Sequence, residues 1–221
     1  MSKARDYIVE YRSEQRIAEI ADIIRNLAPS GTKKLSIAIC RFIRHELTNY
    51  LGHNFRLRLY LPEEDEREAY VSYNPLKLNV QRGIWRSAEL GVSESEFVLT
   101  HEIGHLVMHQ DFEKAFSSTG EELVHAMGKE RSAEWQANTF ADYFLCPDWI
   151  IARHMNDPQT AAIMLNISSE LAEHRAFQIK RFGPIVPIAV EGDACNRCSN
   201  FTLMAEGVMV RCTTCQLEYS R

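Results

Sequence analysis

Apolar residues recur at helical spacing between Ser13 and Leu27, where Ile17, Ile20, Ala21, Ile24 and Leu27 share one face, and Pro29-Ser30-Gly31 breaks the run. A second helical run, about Lys34 to Tyr50, carries Leu35, Ala38, Ile39, Phe42, Ile43 and Leu47, and Gly52 stops it. The period then changes to two. Leu57, Leu59 and Leu61 alternate with Arg56, Arg58 and Tyr60, which predicts a strand. The acidic stretch Glu63 to Glu68 reads as a solvated connection. Tyr70–Tyr73 reads as a second strand, broken by Asn74-Pro75, and Leu76, Leu78 and Val80 mark a third. These strands predict a small twisted sheet ahead of the next helix.

Ser93-x-x-Glu96 reads as a capping box opening a helix that continues to about Met108. Residues Asp111 to Lys129 are mostly connection. Arg131 to Leu145 is helical and ends at Cys146-Pro147, and shorter helices are predicted at Asp148–Met155, Pro158–Leu165 and Ser168–Arg181. Phe182-Gly183-Pro184 with Pro187 marks a boundary. The fold class is therefore α+β: a mostly helical domain over residues 1–183, its first 52 residues helical, and a small module over 190–221.

Composition narrows the function. The chain has 221 residues, 45% apolar and 25% charged, as in ordinary globular proteins. Its net charge of −5 argues against a general nucleic-acid binder. The charged start Met1-Ser2-Lys3-Ala4-Arg5-Asp6 is not that of a secretory signal, and no stretch approaches the roughly 18 apolar residues of a membrane span. A cytoplasmic location is the expectation. Cys40 and Cys146 stand alone in apolar surroundings and read as buried thiols.

The chemistry lies in His101-Glu102-Ile103-Gly104-His105. Histidines four residues apart project from one helix face, so both rings can reach one zinc ion. Leu99, Ile103 and Leu106 supply the apolar back. Glu102 flanks the pair, where its carboxylate can take a proton from a zinc-activated water. Gly104 permits close helix packing. On the later helix Glu134, Ala137, Asn138, Ala141 and Leu145 share one stripe, and a carboxylate within such a stripe needs a partner. Zinc would satisfy it, which makes Glu134 the expected third ligand; Asp111, Glu113, Glu121, Glu122 and His125 are its rivals. Asn138, one turn on, either accepts a ligand ring N–H or bonds between helices. His109 is either a substrate contact or a capping, supporting histidine. Tyr143, His125, His154 and Arg175 are candidates to stabilise an oxyanion, and the Leu76–Val80 strand is a candidate edge for an extended peptide.

His101-Glu102-Ile103-Gly104-His105-Leu106-Val107-Met108-His109, then Glu134-Trp135-Gln136-Ala137-Asn138-Thr139-Phe140-Ala141 and Leu145-Cys146-Pro147, resembles the ImmA/IrrE family of metallopeptidases. The resemblance covers roughly Leu57 to Arg181 and is strongest from Val98 to Pro147. It implies a gluzincin-like zinc site with His101, His105 and Glu134 as ligands and Glu102 as base. It also implies a proteolytic regulator that cleaves or controls a helix-turn-helix repressor of a mobile element or stress response.

Outside that resemblance lie Cys195-x-x-Cys198 and, thirteen residues on, Cys212-x-x-Cys215. Two such pairs predict a zinc-ribbon whose four thiolates close the coordination sphere of a second, structural zinc. The segments Phe201–Met204 and Val208–Arg211 read as its hairpin. Two function classes follow: a zinc endopeptidase that cleaves a specific protein, or a non-enzymatic regulator that binds protein or nucleic acid through the ribbon. Glu102 favours the enzyme, since a purely structural site has no use for a carboxylate beside its water.

Overall fold

The computed structural model describes residues 6–31, 33, 35–109, 128–185, 200, 203–206, 209–216 and 218–220. Helix α1 (Glu14–Asn26) starts where the Ser13 hydroxyl accepts the Arg16 N–H at 3.2 Å, and it buries Ile17, Ala18, Ala21 and Ile24. The second helix begins later than its periodicity predicts. The chain first doubles back, with Ser30 bridged to Ile37 and the Gly31 N–H donating to the Ser36 carbonyl at 2.8 Å. A Cβ on Gly31 would stand 2.4 Å from Ser36 Oγ, so this turn needs glycine. The helix then runs as α2 (Ile39–Phe42), a π turn (Ile43–Leu47) and α3 (Thr48–Leu51). The Thr48 hydroxyl donates to the carbonyl of Ile43, five residues back, at 2.9 Å.

Strands β1 (Arg56–Tyr60), β2 (Ala69–Tyr73) and β3 (Leu76–Gln81) form a mixed sheet in the order β1-β3-β2, with β3 parallel to β1 and antiparallel to β2. The third strand is therefore central, burying Leu78, Asn79 and Val80. This corrects the expectation of a free edge at Leu76–Val80. The β2–β3 hairpin folds β3 inward against β1, and among the described residues β1 and β2 are the two edges. Helix α4 (Arg82–Glu89) follows β3 directly and is missed by the pattern, because only Trp85 and Ala88 of its eight residues are buried.

Helix α5 (Ser93–Met108) has the predicted bounds but a different start. Val92 takes the cap position without a side-chain bond, and the Ser93 hydroxyl donates to Glu94 at 3.1 Å. Glu96, the expected capping partner, is drawn into the interior, where the Asn166 amide donates to it at 2.9 Å. Helix α6 (Ala133–Leu145) follows a 3-10 turn (Lys129–Arg131) and is capped by Ser132, whose hydroxyl accepts the Trp135 N–H at 2.9 Å. Helices α7 (Asp148–Ile151), α8 (Pro158–Leu165) and α9 (Ser169–Phe182) complete the α+β domain. One core joins Ile17 and Ile24 of α1, Leu78 and Val80 of β3, Leu99 and Leu106 of α5, and Phe140 and Phe144 of α6. Cys40 and Cys146 are buried as predicted, and burial pushes both thiols up to about 12.

A second sheet, β4 (Leu203–Glu206), β5 (Met209–Cys212) and β6 (Glu218–Ser220), is antiparallel in that order. The predicted hairpin is present, shifted along the chain, and β6 is an addition. No helix among the described residues is long and apolar enough to cross a membrane.

Burial raises the Glu96 carboxyl to about 7, partly offset by the Asn166 hydrogen bond. A carboxyl raised in the fold binds its proton more tightly than in the unfolded chain, so its ionisation destabilises. Urea unfolding of wild type and Glu96→Gln should show the variant gaining relative stability as pH rises from about 4.5 to about 7, then a constant difference. A difference independent of pH would disprove the assignment.

Candidate metal centre

Helices α5 and α6 run antiparallel and touch at Gly104. A Cβ there would stand 3.1 Å from Ala137 Cα and 3.2 Å from the Phe140 ring. Small residues on both sides of this contact bring the polar faces of the two helices together at one end of the sheet. His101 and His105 project from α5, and Glu134 from the first turn of α6.

The three side chains converge. His101 Nε2 and His105 Nε2 lie 3.1 Å apart, and each lies 3.4 Å from an oxygen of Glu134. One ligand atom from each falls within 4.8 Å of the others, so this group can hold a metal ion. Hydrogen bonds behind the rings aim these atoms. Asn138 Oδ1 lies 2.8 Å from His101 Nδ1, as one of the two sequence readings has it. His105 Nδ1 lies 3.0 Å from His109 Nδ1.

Burial raises the Glu134 carboxyl, but hydrogen bonds from His101 and His105 outweigh it and hold the group well below the usual carboxylate range. Glu102 goes the other way: burial raises it, with His105 and His101 offsetting part of the shift. The Val71 N–H on edge strand β2 donates toward Glu102. Burial, then the charges of Glu102 and Glu134, raise the Tyr73 phenol on the same strand.

The other candidates separate. His109 is buried, caps the end of α5 and lies against Gln136 at 3.0 Å, so it is a supporting residue and not a substrate contact. Burial and then the neighbouring His105 lower its ring to about 3. Tyr143 and Arg175 belong to the core: the guanidinium lies 3.8 Å over the Tyr143 ring and pairs with Asp148, and the Tyr143 hydroxyl donates to Glu14 at 2.9 Å. His154 sits in the turn after α7, its N–H donating to the Ile151 carbonyl. Asp111, Glu113, Glu121, Glu122 and His125 lie outside the described residues, as do Cys195 and Cys198. Cys212 and Cys215 are placed, and the Cys215 N–H donates to Cys212 Sγ at 3.4 Å.

Three features escape the sequence reading. Asp6 accepts the Glu134 N–H at 3.2 Å and the Ser132 hydroxyl at 2.6 Å, tying the N-terminal segment to the start of α6. Gln136 is fully buried in that helix; a glutamine among Ala133, Ala137 and Phe140 is the one signal that could have found it. A cavity of about 550 Å³ lies between the first half of α5, the end of α6 and α9. Half-buried Ile84, Phe97, Val98 and Leu171 line it together with the carboxylates of Glu94 and Asp142. Phe97 and Val98 stand one turn before His101, and Asp142 one turn beyond Asn138, on the faces that carry the site.

A helix carrying H-E-x-x-H, with a glutamate presented by the facing helix, defines a class of peptidases. More particularly, the chain belongs to the peptidase M78 family: residues 53–177, more than half of it, match the IrrE N-terminal-like domain. It is also similar to "Uncharacterized immunity region protein 2" of Bacillus phage phi105, 33% identical over 131 residues, which are 58% of this chain and 75% of the phage protein.

The contact at Gly104 should control the site from behind. Gly104→Val overfills it at a typical cost of about 1–3 kcal/mol and should lower the melting temperature by roughly 2–10 °C. It should also weaken metal binding, because α5 and α6 must part. Circular dichroism melts and chelator competition check both effects; an unchanged melt and metal affinity would show that the contact has slack.

Proposed function

We propose that this protein is a zinc-dependent endopeptidase of regulatory type that cleaves a specific intracellular protein, with a DNA-binding helix-turn-helix repressor as the substrate class. The observation that carries this reading is the convergence of His101, His105 and Glu134 beside Glu102, next to a strand that is an edge of the sheet among the described residues. The likeness to a phage immunity-region protein motivates the choice of a repressor.

In this reading His101, His105 and Glu134 hold zinc. Two imidazoles and one carboxylate suit the ion and leave a position open, as catalytic sites do. Zinc bound there supplies a Lewis acid toward a water and the scissile carbonyl. Glu102 takes the proton of the attacking water and passes it to the leaving amine. Strand β2 aligns an extended peptide beside Glu102. The cavity lined by Phe97 and Val98, one helical turn before His101, receives an apolar side chain of that peptide, and Glu94 and Asp142 favour basic neighbours.

Residues 190–221 act as a separate module on a second, structural zinc held by Cys195, Cys198, Cys212 and Cys215. The amide-to-sulfur bond between Cys215 and Cys212 supports a preformed knuckle. Its role is to dock a protein, and direct binding of nucleic acid is not part of this reading.

Metal content by mass spectrometry should give two zinc ions per chain. His101→Ala/Glu134→Ala should lose one and Cys212→Ser/Cys215→Ser the other. Glu102→Gln should keep both yet cleave repressors encoded beside its gene at least about 100-fold more slowly. Full cleavage by Glu102→Gln would refute the general-base assignment, and wild type without zinc at the helical site would refute the enzyme.

A further inference from the structure

His101 is met by Asn138, whereas the partner of His105, His109, is itself held by a buried glutamine. Gln136 has no exposed surface. Its Nε2 lies 2.8 Å from the Glu10 carbonyl and 2.7 Å from the Glu130 carbonyl. Carbonyl oxygens only accept, so the amide has one orientation that satisfies both contacts. Its Oε1 must then accept, and it faces the Arg12 guanidinium at 3.1 Å and His109 Nε2 at 3.0 Å.

The consequence passes along the chain. His109 donates through Nε2, which in the neutral ring leaves Nδ1 without a proton. That bare nitrogen stands 3.0 Å from His105 Nδ1, so His105 donates there. The lone pair of His105 is thereby placed on Nε2, facing His101 and Glu134. The orientation is set by main-chain carbonyls from two places far apart in sequence: the N-terminal segment at Glu10 and the 3-10 turn at Glu130.

We propose that Gln136 is a positioning residue of the metal centre, held in one orientation by the Glu10 and Glu130 carbonyls and acting through His109 to present His105 Nε2 to the ion. This rests on the reading of His101, His105 and Glu134 as metal ligands. A plain fastener between the N-terminal segment and α6 would use the same two carbonyl bonds but would not need His109. The two roles are therefore separable.

The test is a double-mutant cycle on the full chain, with cobalt(II) as the probe, because sulfur charge-transfer absorption distinguishes a cysteine site from the histidine site. Gln136→Met and His109→Phe should each weaken cobalt binding at the histidine site by roughly 10- to 100-fold. The double variant should be no weaker than His109→Phe alone, within about twofold. Circular dichroism in excess chelator establishes that each variant is folded. Nitrogen-15 spectra of zinc-loaded wild type give a check that needs no substitution: His109 should carry its proton on Nε2 and His105 on Nδ1. Unchanged affinity in Gln136→Met, losses that multiply in the double variant, or a His109 proton on Nδ1 would each overturn the proposal. Those results leave metal binding by wild type intact. A wild type that binds as weakly as His101→Ala would instead bring down the ligand reading, and this inference with it.

Discussion

The close antiparallel contact of α5 with α6 at Gly104 is the constraint on which the site depends. Two helices carrying bulky residues at their crossing would hold His101 and His105 too far from Glu134 for one ion to bridge them. With no Cβ on α5 and only Ala137 opposite, the backbones approach until the Nε2 atoms of both histidines lie 3.4 Å from the carboxylate. The apolar backs of the same helices, Leu99 and Ile103 on one and Phe140 and Phe144 on the other, are fully buried in the common core. Packing fixes the backs and small residues set the separation, so the polar fronts have little freedom left.

The N-terminal segment supplies the second constraint. Residues just ahead of α1 run beside the start of α6, with the Val9 N–H donating to the Arg131 carbonyl at 2.8 Å and the Ala133 N–H to the Tyr7 carbonyl at 2.9 Å. Asp6 adds an acceptor at a helix N-terminus, where exposed N–H groups and the helix dipole favour negative charge. The first turn of α6 bears Glu134, so whatever fixes that turn fixes the carboxylate. A segment more than a hundred residues away in sequence thus determines where the third donor stands.

How much of this is legible from sequence follows from the range of each interaction. The α5 site is local: spacing of His101 and His105, an apolar back and Gly104 all appear within one helix. Glu134 is legible through burial cost, because a carboxylate in an apolar stripe calls for a partner. The β3 position is not legible, since the alternation at Leu76, Leu78 and Val80 specifies a strand and leaves its neighbours open. Nor is the role of Ser93 and Glu96, where the pattern of a capping box competes with a long-range bond from Asn166 and loses. The contacts of Asp6 with Ser132 and of Gln136 with Glu10 each cross 126 residues, a separation at which no periodicity carries information.

The same geometry separates the work of two glutamates that composition alone would treat alike. Glu134 spans both histidines from the opposite helix, and in that position its oxygens meet the nitrogens that face the centre. Glu102 rides on the histidine helix but leans toward strand β2, where the Val71 N–H meets it. In the proposed mechanism a ligand must face the ion and a base must face the peptide, and an edge strand is where an extended peptide can pair. Exchanging the two roles would leave a carboxylate at the edge with no histidine partner and one between the histidines with no substrate. The different surroundings of the two carboxylates therefore follow from which element each residue leans on, and the helix contact at Gly104 makes both positions possible at once.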